Sequence, residues 1–391
     1  MHLGYCTNVH AGSDLDTTKK NLAEHAIQVK DKFSSDAPMG IGLWLSNSTT
    51  RDLLQGDQLD RFRDWLQTSG LVPFTLNGFP YGDFHQKVVK HHVYQPTWSE
   101  PDRLEYTALL LACQDALLPE GLSGSLSTLP LGWGTRSDDE DFLVYCGEYL
   151  SSIAEVMDRM ESETGRRLQV CIEPEPGCVI DTAPDMVRFF EKYLLTGTET
   201  ENQRILRYLG VCHDICHSAV MRESQSSAVR AYDESGIRIG KVQVSAAIEF
   251  TLDPEDQETY RPIVEELAGF AEDRYLHQTT VKSDSDNDYE FFEDLPAAMS
   301  ARLDSPGRSE WRIHFHVPIY RQQLGYIGST QKEIREFLVA LADSDQSVDH
   351  FEVETYAWNV LPPDHQVQCL ADGISQELAW FQELYSSSSG R

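Results

Sequence analysis

Residues 209–220 read LGVCHDICHSAV. A short apolar run, Leu209 to Cys212, leads to Asp214, and His217 follows three residues later. A strand sends alternate side chains to opposite faces. If this one stops near Ile215 and the chain turns, Asp214 and His217 converge on one point at its end. Carboxylate plus imidazole at a strand end suits a divalent metal. A capping aspartate and a histidine opening the next helix would give the same letters, so the rest of the chain has to discriminate.

Outward from this stretch, short strand-like runs alternate with longer helical ones. The strand candidates are Leu3–Cys6, Ile41–Leu45, Val72–Leu76, Leu122–Leu129, Leu168–Ile172, Leu209–Cys212, Lys241–Ala246 and His350–Val353. Helical patterns fall near Thr17–Phe33, Gln58–Thr68, Pro101–Leu118, Glu140–Glu163, Pro184–Leu195, Val220–Tyr232, Asp256–Leu276 and Lys332–Ala342. Start signals such as Ser99-Glu100-Pro101 and Asp181-Thr182-Ala183-Pro184 support several of them. Strands each followed by a helix, repeated to this number, predict a single (β/α)8 TIM barrel. An open doubly wound sheet would show a glycine-rich turn after one strand, and neither G-x-G-x-x-G nor G-x-x-x-x-G-K-[ST] occurs.

The barrel is expected to span residues 1–385, with long loops after its third and seventh strands, at about 77–98 and 283–306, and a disordered tail at 386–391. The second insertion is acidic, and a helix over Tyr289–Arg302 fits inside it. Asp284, Asp286 and Asp288 suggest a calcium loop, but the glycine and terminal glutamate at the required spacing are missing. Solvated charge is the simpler reading.

Composition narrows the function classes. Asp and Glu number 63 against 32 Lys and Arg, a formal net charge of −31 across 391 residues. Such a chain repels phosphate backbones and anionic membranes, which argues against a nucleic-acid partner. No run approaches the roughly 18 apolar residues of a membrane span, and MHLGYCTNVH lacks the basic and apolar regions of a signal peptide. The 8 cysteines include no C-x-x-C pair, and several lie in apolar strand-like contexts. Reduced buried thiols and a cytoplasmic location are expected.

Barrel chemistry sits at the C-terminal ends of the strands. The polar residues there are Glu173 in CIEPEPG after the fifth strand, Asp214 and His217 after the sixth, and Gln243 or Ser245 in the seventh. Beyond the acidic insertion come His314 and His316 in WRIHFHVPIY, and Glu354 in FEVETYAW follows the eighth strand. On an extended segment, His314 and His316 at i, i+2 point the same way, an arrangement metal sites use. Together these residues predict a divalent-metal site. No G-x-S-x-G motif supports nucleophilic catalysis, and CHDICH lacks haem-attachment spacing.

Glu-Pro after strand five, Asp-x-x-His after strand six, an x-His pair after strand seven and Glu at strand eight resemble the xylose-isomerase-like barrel superfamily. That superfamily holds sugar isomerases and epimerases and metal-dependent AP endonucleases. The epimerase pattern implies one metal held by Glu173, Asp214, Gln243 and Glu354, with glutamine where the family usually has histidine. An amide oxygen suits manganese or magnesium better than zinc. The endonuclease pattern implies a second metal on His217, His314 and His316, a good zinc set with an open position. Its remaining metal needs histidines after early strands, and LNGFPYG and STLPLGW supply none at the matching places. Over nearly the whole chain, HLGYCTNVH, LNGFPYGDFH, VYQPTW, GSLSTLPLGW, IEPEPGC, HFHVPI and EVETYAWNVLP are similar to the EboE family of metabolite-traffic proteins. That resemblance implies a role in delivering secondary-metabolite precursors alongside other proteins of the same gene cluster.

The resulting expectation is a divalent-metal enzyme, using zinc or manganese, that isomerises or epimerises a small polyhydroxylated molecule such as a sugar or cyclitol. A lyase or hydrolase variant belongs to the same expectation. Glu173 and Glu354 would exchange the proton. Phe79, Tyr81, His85, Trp133 and Trp358 would contact the substrate, the aromatic rings by stacking. The alternative is a metabolite-binding or carrier protein that kept the barrel without turnover.

Overall fold

In the computed structural model, which describes residues 1–284, 288–303 and 307–388, each short apolar run of the sequence becomes a strand. The first seven strands are β1 (His2–Cys6), β2 (Met39–Trp44), β3 (Leu71–Asn77), β4 (Gly124–Thr128), β5 (Leu168–Ile172), β6 (Leu209–Asp214) and β7 (Ile239–Val244). Six follow in one excursion: β8 (Ile248–Leu252), β9 (Thr279–Ser283), β10 (Glu290–Phe292), β11 (Ser309–Ile313), β12 (Gln323–Leu324) and β13 (Ile327–Ser329). β14 (His350–Val353) ends the series. Strands β1 to β7 and β14 close into a parallel barrel in the order β1-β14-β7-β6-β5-β4-β3-β2. Helices cover its outside, as the alternation of runs predicts.

Local chemistry fixes the helix ends. Asp139 caps Glu140–Thr164 by accepting from the Phe142 N–H, and Gly165 ends that helix in the left-handed conformation. Thr198 and Glu201 form a capping box at the start of Glu199–Tyr208. Inside the barrel lies a buried ion pair, Lys241 Nζ to Glu352 Oε2 at 2.5 Å, with Lys241 also donating to Ser127 Oγ at 3.0 Å. A Cβ at position 42 would overlap the Glu352 carboxylate, so glycine in β2 makes room for the pair.

The excursion after β7 is where the structure departs from the sequence reading. It is a six-stranded antiparallel sheet, in the order β10-β9-β11-β8-β13-β12, and not a solvated loop confined to 283–306. The helix expected over Asp256–Leu276 forms only at Tyr260–Ala268, with Gly269 at its C-cap, and 279–283 and 309–313 pair as strands. Tyr289–Arg302 divides into β10 and a helix, Leu295–Arg302, capped by Asp294. Asp286 of the acidic triplet lies outside the described residues. Arginines dock the sheet on the barrel: Arg312 donates to the Ala219 carbonyl at 2.7 Å, and Arg222 to that of Glu310 at 2.7 Å.

The expected tail also differs. Ser386–Ser388 complete the last turn of the helix Leu370–Ser388, with serine hydroxyls bonded back to Gln382 and Leu384 carbonyls; 389–391 lie outside the described residues. All eight cysteines are free, seven of them buried. Among the described residues no helix is long and apolar enough to cross a membrane.

Candidate metal centre

Asp214 is the last residue of β6 and the cap of the helix Ile215–Val220. Its Oδ1 accepts from the His217 N–H and the Ser245 hydroxyl, both at 2.8 Å. Its Oδ2 is buried without a partner among the described residues. Capping and convergence are therefore not alternatives: one oxygen caps, the other is left 3.9 Å from both His217 Nε2 and His316 Nε2.

The three imidazoles share one pattern. His217 Nδ1 donates to the Pro174 carbonyl at 2.8 Å, and His316 Nδ1 to the Glu354 carbonyl at 2.7 Å. A carbonyl only accepts, so Nδ1 carries the proton in both and Nε2 keeps its lone pair. His314 Nδ1 meets Gln278 Oε1 at 2.7 Å. The orientation of that amide is set at its other end, where Nε2 donates to the Pro176 carbonyl and Glu175 Oε1, both at 3.1 Å. His314 is thus the same tautomer. Its Nε2 lies 3.2 Å from His217 Nε2, and His316 Nε2 has no partner among the described residues. Burial, with the neighbouring histidines, holds His314 well below the usual imidazole range, and burial brings His316 down to about 4 against the pull of Asp214. Rings tied at Nδ1, with Nε2 atoms that converge, are what a metal requires.

Carboxylates complete the group. Glu173 follows β5, held by its N–H to the Thr128 carbonyl at 3.0 Å, and its Oε2 is buried without a partner among the described residues. Glu354 follows β14, and its Oε1 accepts from Asn8 at 2.7 Å and Asn77 at 3.0 Å. Ligand atoms of Glu173, Asp214 and Glu354 lie within 4.8 Å of one another, as do those of Asp214, His217 and His316, and of Glu175, His217 and His314. Burial and then the neighbouring carboxylates push Glu173 well up and Glu354 to about 8. Burial also opposes ionisation of Asp214, but His217, His316 and its hydrogen bonds outweigh it and bring it down. Crowded carboxylates beside converging imidazole nitrogens form a set whose charge a divalent cation would balance.

The structure brings together Glu173, Asp214, His217, His314, His316 and Glu354. Gln243 is buried in β7, in register with Asp214 on one side and Glu352 on the other, with both amide atoms unpartnered among the described residues. Phe79 lines the cleft above the site. Tyr81, His85, Trp133 and Trp358 pack elsewhere. Tyr81 meets Tyr106 edge to face, and His85 lies against Trp44 and Phe84. Trp133 rests on His91 and Tyr94, and Trp358 covers Gly373 while donating to Glu377 at 3.1 Å.

Glu175, Gln278, Tyr94, Asn8 and Asn77 were not singled out from the sequence. Glu175 carried a signal, as the second acid of EPEP two residues beyond Glu173. The others act through contacts between distant segments and leave no local pattern.

No known family model and no curated protein sequence matches the chain. Solved structures do. A xylose isomerase-like TIM barrel protein from Mycobacterium smegmatis, in complex with magnesium, matches with a TM-score of 0.54 and 10% identity over 99% of this chain and 97% of its own. An L-ribulose 3-epimerase matches at 0.49 and 12% identity, over 100% and 96%. An IOLI protein with a zinc atom matches at 0.47 and 13%, over 99% of each chain. At such identities the likeness speaks to the fold, and the first of the three carries it. With its closed eight-stranded parallel barrel, this chain has the xylose-isomerase-like TIM barrel fold.

Proposed function

We propose that the protein is a divalent-metal-dependent isomerase or epimerase acting on a small hydroxylated carbonyl compound of the sugar or cyclitol kind. The observation that carries this reading is the trio of Nδ1-tethered histidines, whose Nε2 atoms face the unpartnered Asp214 Oδ2. His217, His314, His316 and Asp214 would hold the metal, with Glu173 and Glu354 bordering it and Gln243 beneath. Three imidazoles favour zinc, and the carboxylates also admit manganese. When bound, the metal supplies polarisation of a carbonyl or alkoxide oxygen, which acidifies the neighbouring C–H.

Proton movement falls to Glu173 and Glu354. Asn8 and Asn77 both donate to Glu354 Oε1, so a proton on this residue resides on Oε2. With its proton confined to Oε2, Glu354 is placed to serve as the acid. Glu173 offers a free Oε2 on the β5 side as the base. Two carboxyl groups from different strands suit removal of a proton on one side of a carbon and return on the other.

The likeness of the HLGYCTNVH, GSLSTLPLGW and EVETYAWNVLP segments to EboE proteins supports a place in handling secondary-metabolite precursors, beside proteins of the same cluster. Buried, unpaired thiols suit a cytoplasmic setting. A carrier without turnover is the second reading, and the glutamine at 243 favours it.

The test begins with elemental analysis of the untagged protein, followed by sugars and cyclitols incubated in D2O. Near-stoichiometric zinc or manganese, with deuterium entering one carbon and Glu354→Gln abolishing that entry, is the expected result. Metal without exchange for any substrate would favour the carrier.

A further inference from the structure

The cleft over the metal centre is polar at its floor and apolar at its walls. Asn8, Asn77 and the ligand residues form the floor, and the loop after β3 meets the inserted sheet to form the roof. Val89 and Lys90 N–H groups both donate to the Arg274 carbonyl, at 2.8 and 3.1 Å, so the two segments are joined through their backbones. Between them the rings of Phe84, Tyr275 and Tyr356 are in mutual contact, with centroids 4.9 to 5.5 Å apart. Tyr356 also lies 4.7 Å from His316, so this aromatic group begins where the imidazoles end.

Apart from the Tyr356 hydroxyl, the polar side chains of the walls are already engaged. Tyr94 donates to Glu175 at 2.8 Å, Tyr275 to the Phe84 carbonyl at 3.2 Å, and Lys90 to Asp294 at 2.6 Å. Of the cleft's tyrosine hydroxyls, that of Tyr356 makes no hydrogen bond among the described residues. At the floor, by contrast, Asn8 Oδ1 is buried and unpartnered among the described residues, an acceptor for a ligand hydroxyl.

A free sugar distributes hydroxyls around its whole ring, and each one set unpaired against the walls would weaken binding about tenfold. An apolar group in the same place gains by a similar factor through burial. Resting on the metal-dependent reading above, we propose that the substrate is amphipathic. A hydroxy-carbonyl head reaches the metal and Asn8, and it is joined to an aryl or alkenyl body that packs on Phe79, Phe84 and Tyr275.

Metal-loaded full-length protein provides the test, with three hydroxamates that share one chelating group. Acetohydroxamate has almost no body, benzohydroxamate an aryl one, and the hydroxamate of threonic acid a polyol one. By calorimetry, benzohydroxamate should bind at least tenfold more tightly than either of the others. Phe84→Leu and Phe79→Leu should reduce that preference while leaving acetohydroxamate affinity unchanged, which also shows that the variants fold. Equal affinities, a preference for the polyol, or no hydroxamate binding by metal-loaded protein would each overturn the proposal while leaving the metal centre standing. Protein that takes up no metal at all would overturn both.

Discussion

His217 Nε2 and His314 Nε2 face each other at 3.2 Å while each ring's Nδ1 is committed to an oxygen. Two imidazole lone pairs so close repel unless a cation or a proton lies between them. The buried carboxylates of Glu173, Asp214 and Glu354 beside them make a divalent cation the occupant that balances the whole group. Its binding to the folded chain alone should stabilise the fold. At a free concentration of 100 times Kd the gain is about 2.7 kcal/mol, a rise of several degrees in Tm. Thermal melts with chelator and with added zinc should show this rise, and His217→Ala should lose both the rise and the metal by elemental analysis. Unchanged metal content in that variant would place the site elsewhere.

Gln278 is a positioning residue for the same centre. Its amide joins His314 to Glu175 and, through the Tyr94 hydroxyl at 3.2 Å, to the loop after β3. Losing the acceptor at His314 Nδ1 frees the ring to rotate or change tautomer. Gln278→Leu should therefore weaken metal binding by about 10- to 100-fold, the usual effect of such a partner, with little change in secondary structure. Competition against a chromophoric chelator measures it, and wild-type affinity would remove Gln278 from this role.

What the sequence made legible follows from how local each signal was. The barrel strands are continuous apolar runs, and the ligand residues fall just after such runs, so Glu173, Asp214 and Glu354 could be placed by counting. Asp214 and His217 are three apart on one turn, and their convergence needed no distant contact. The inserted sheet was less visible because its helix and strands are short and mixed. Yet Ile248, Phe250 and Leu252 alternate with polar residues, as do Trp311 and Ile313, and this period marks half-buried strands. His314 and His316 sit two apart just after β11 of that sheet, so the insertion and not a barrel strand carries them to the site. Aromatic residues misled for a related reason. Tyr81, Trp133 and Trp358 look like stacking platforms in sequence, whereas long loops need such rings for their own packing.

An acidic group away from the metal centre should make stability depend on pH. Burial, then the hydrogen bond and charge of Asp185, push Asp181 up to about 8, and burial pushes the half-buried Glu223 to about 7. Between about 4.5 and 7 the folded chain keeps a proton on Glu223 that the unfolded chain has released. Stability from this group is therefore full below 4.5 and declines as pH rises through 7. Glu223→Gln retains an acceptor for the Ala183 N–H and removes the titration. Relative to wild type, the variant should gain about 2.5 kcal/mol between pH 5 and pH 8, read from urea unfolding with chelator present. A parallel pair of curves would refute this.

Lys241 and Glu352 are both fully buried beneath the metal centre. Burial alone would lower the lysine, but the Glu352 carboxylate outweighs it and keeps the ammonium charged. Removing one partner leaves an uncompensated charge in the barrel, so Lys241→Met should cost about 3–5 kcal/mol. Changing both, as Lys241→Met with Glu352→Leu, should recover much of that loss, since a packed apolar pair can replace a buried ion pair. Gly42→Ala gives an independent check, because its Cβ must displace the Glu352 carboxylate from the lysine. It should destabilise wild type and cost less in the double variant, where no carboxylate is left to displace. Chemical denaturation of the four proteins measures the coupling. If Gly42→Ala costs the same in both backgrounds, the glycine is required for barrel packing alone and not for the ion pair.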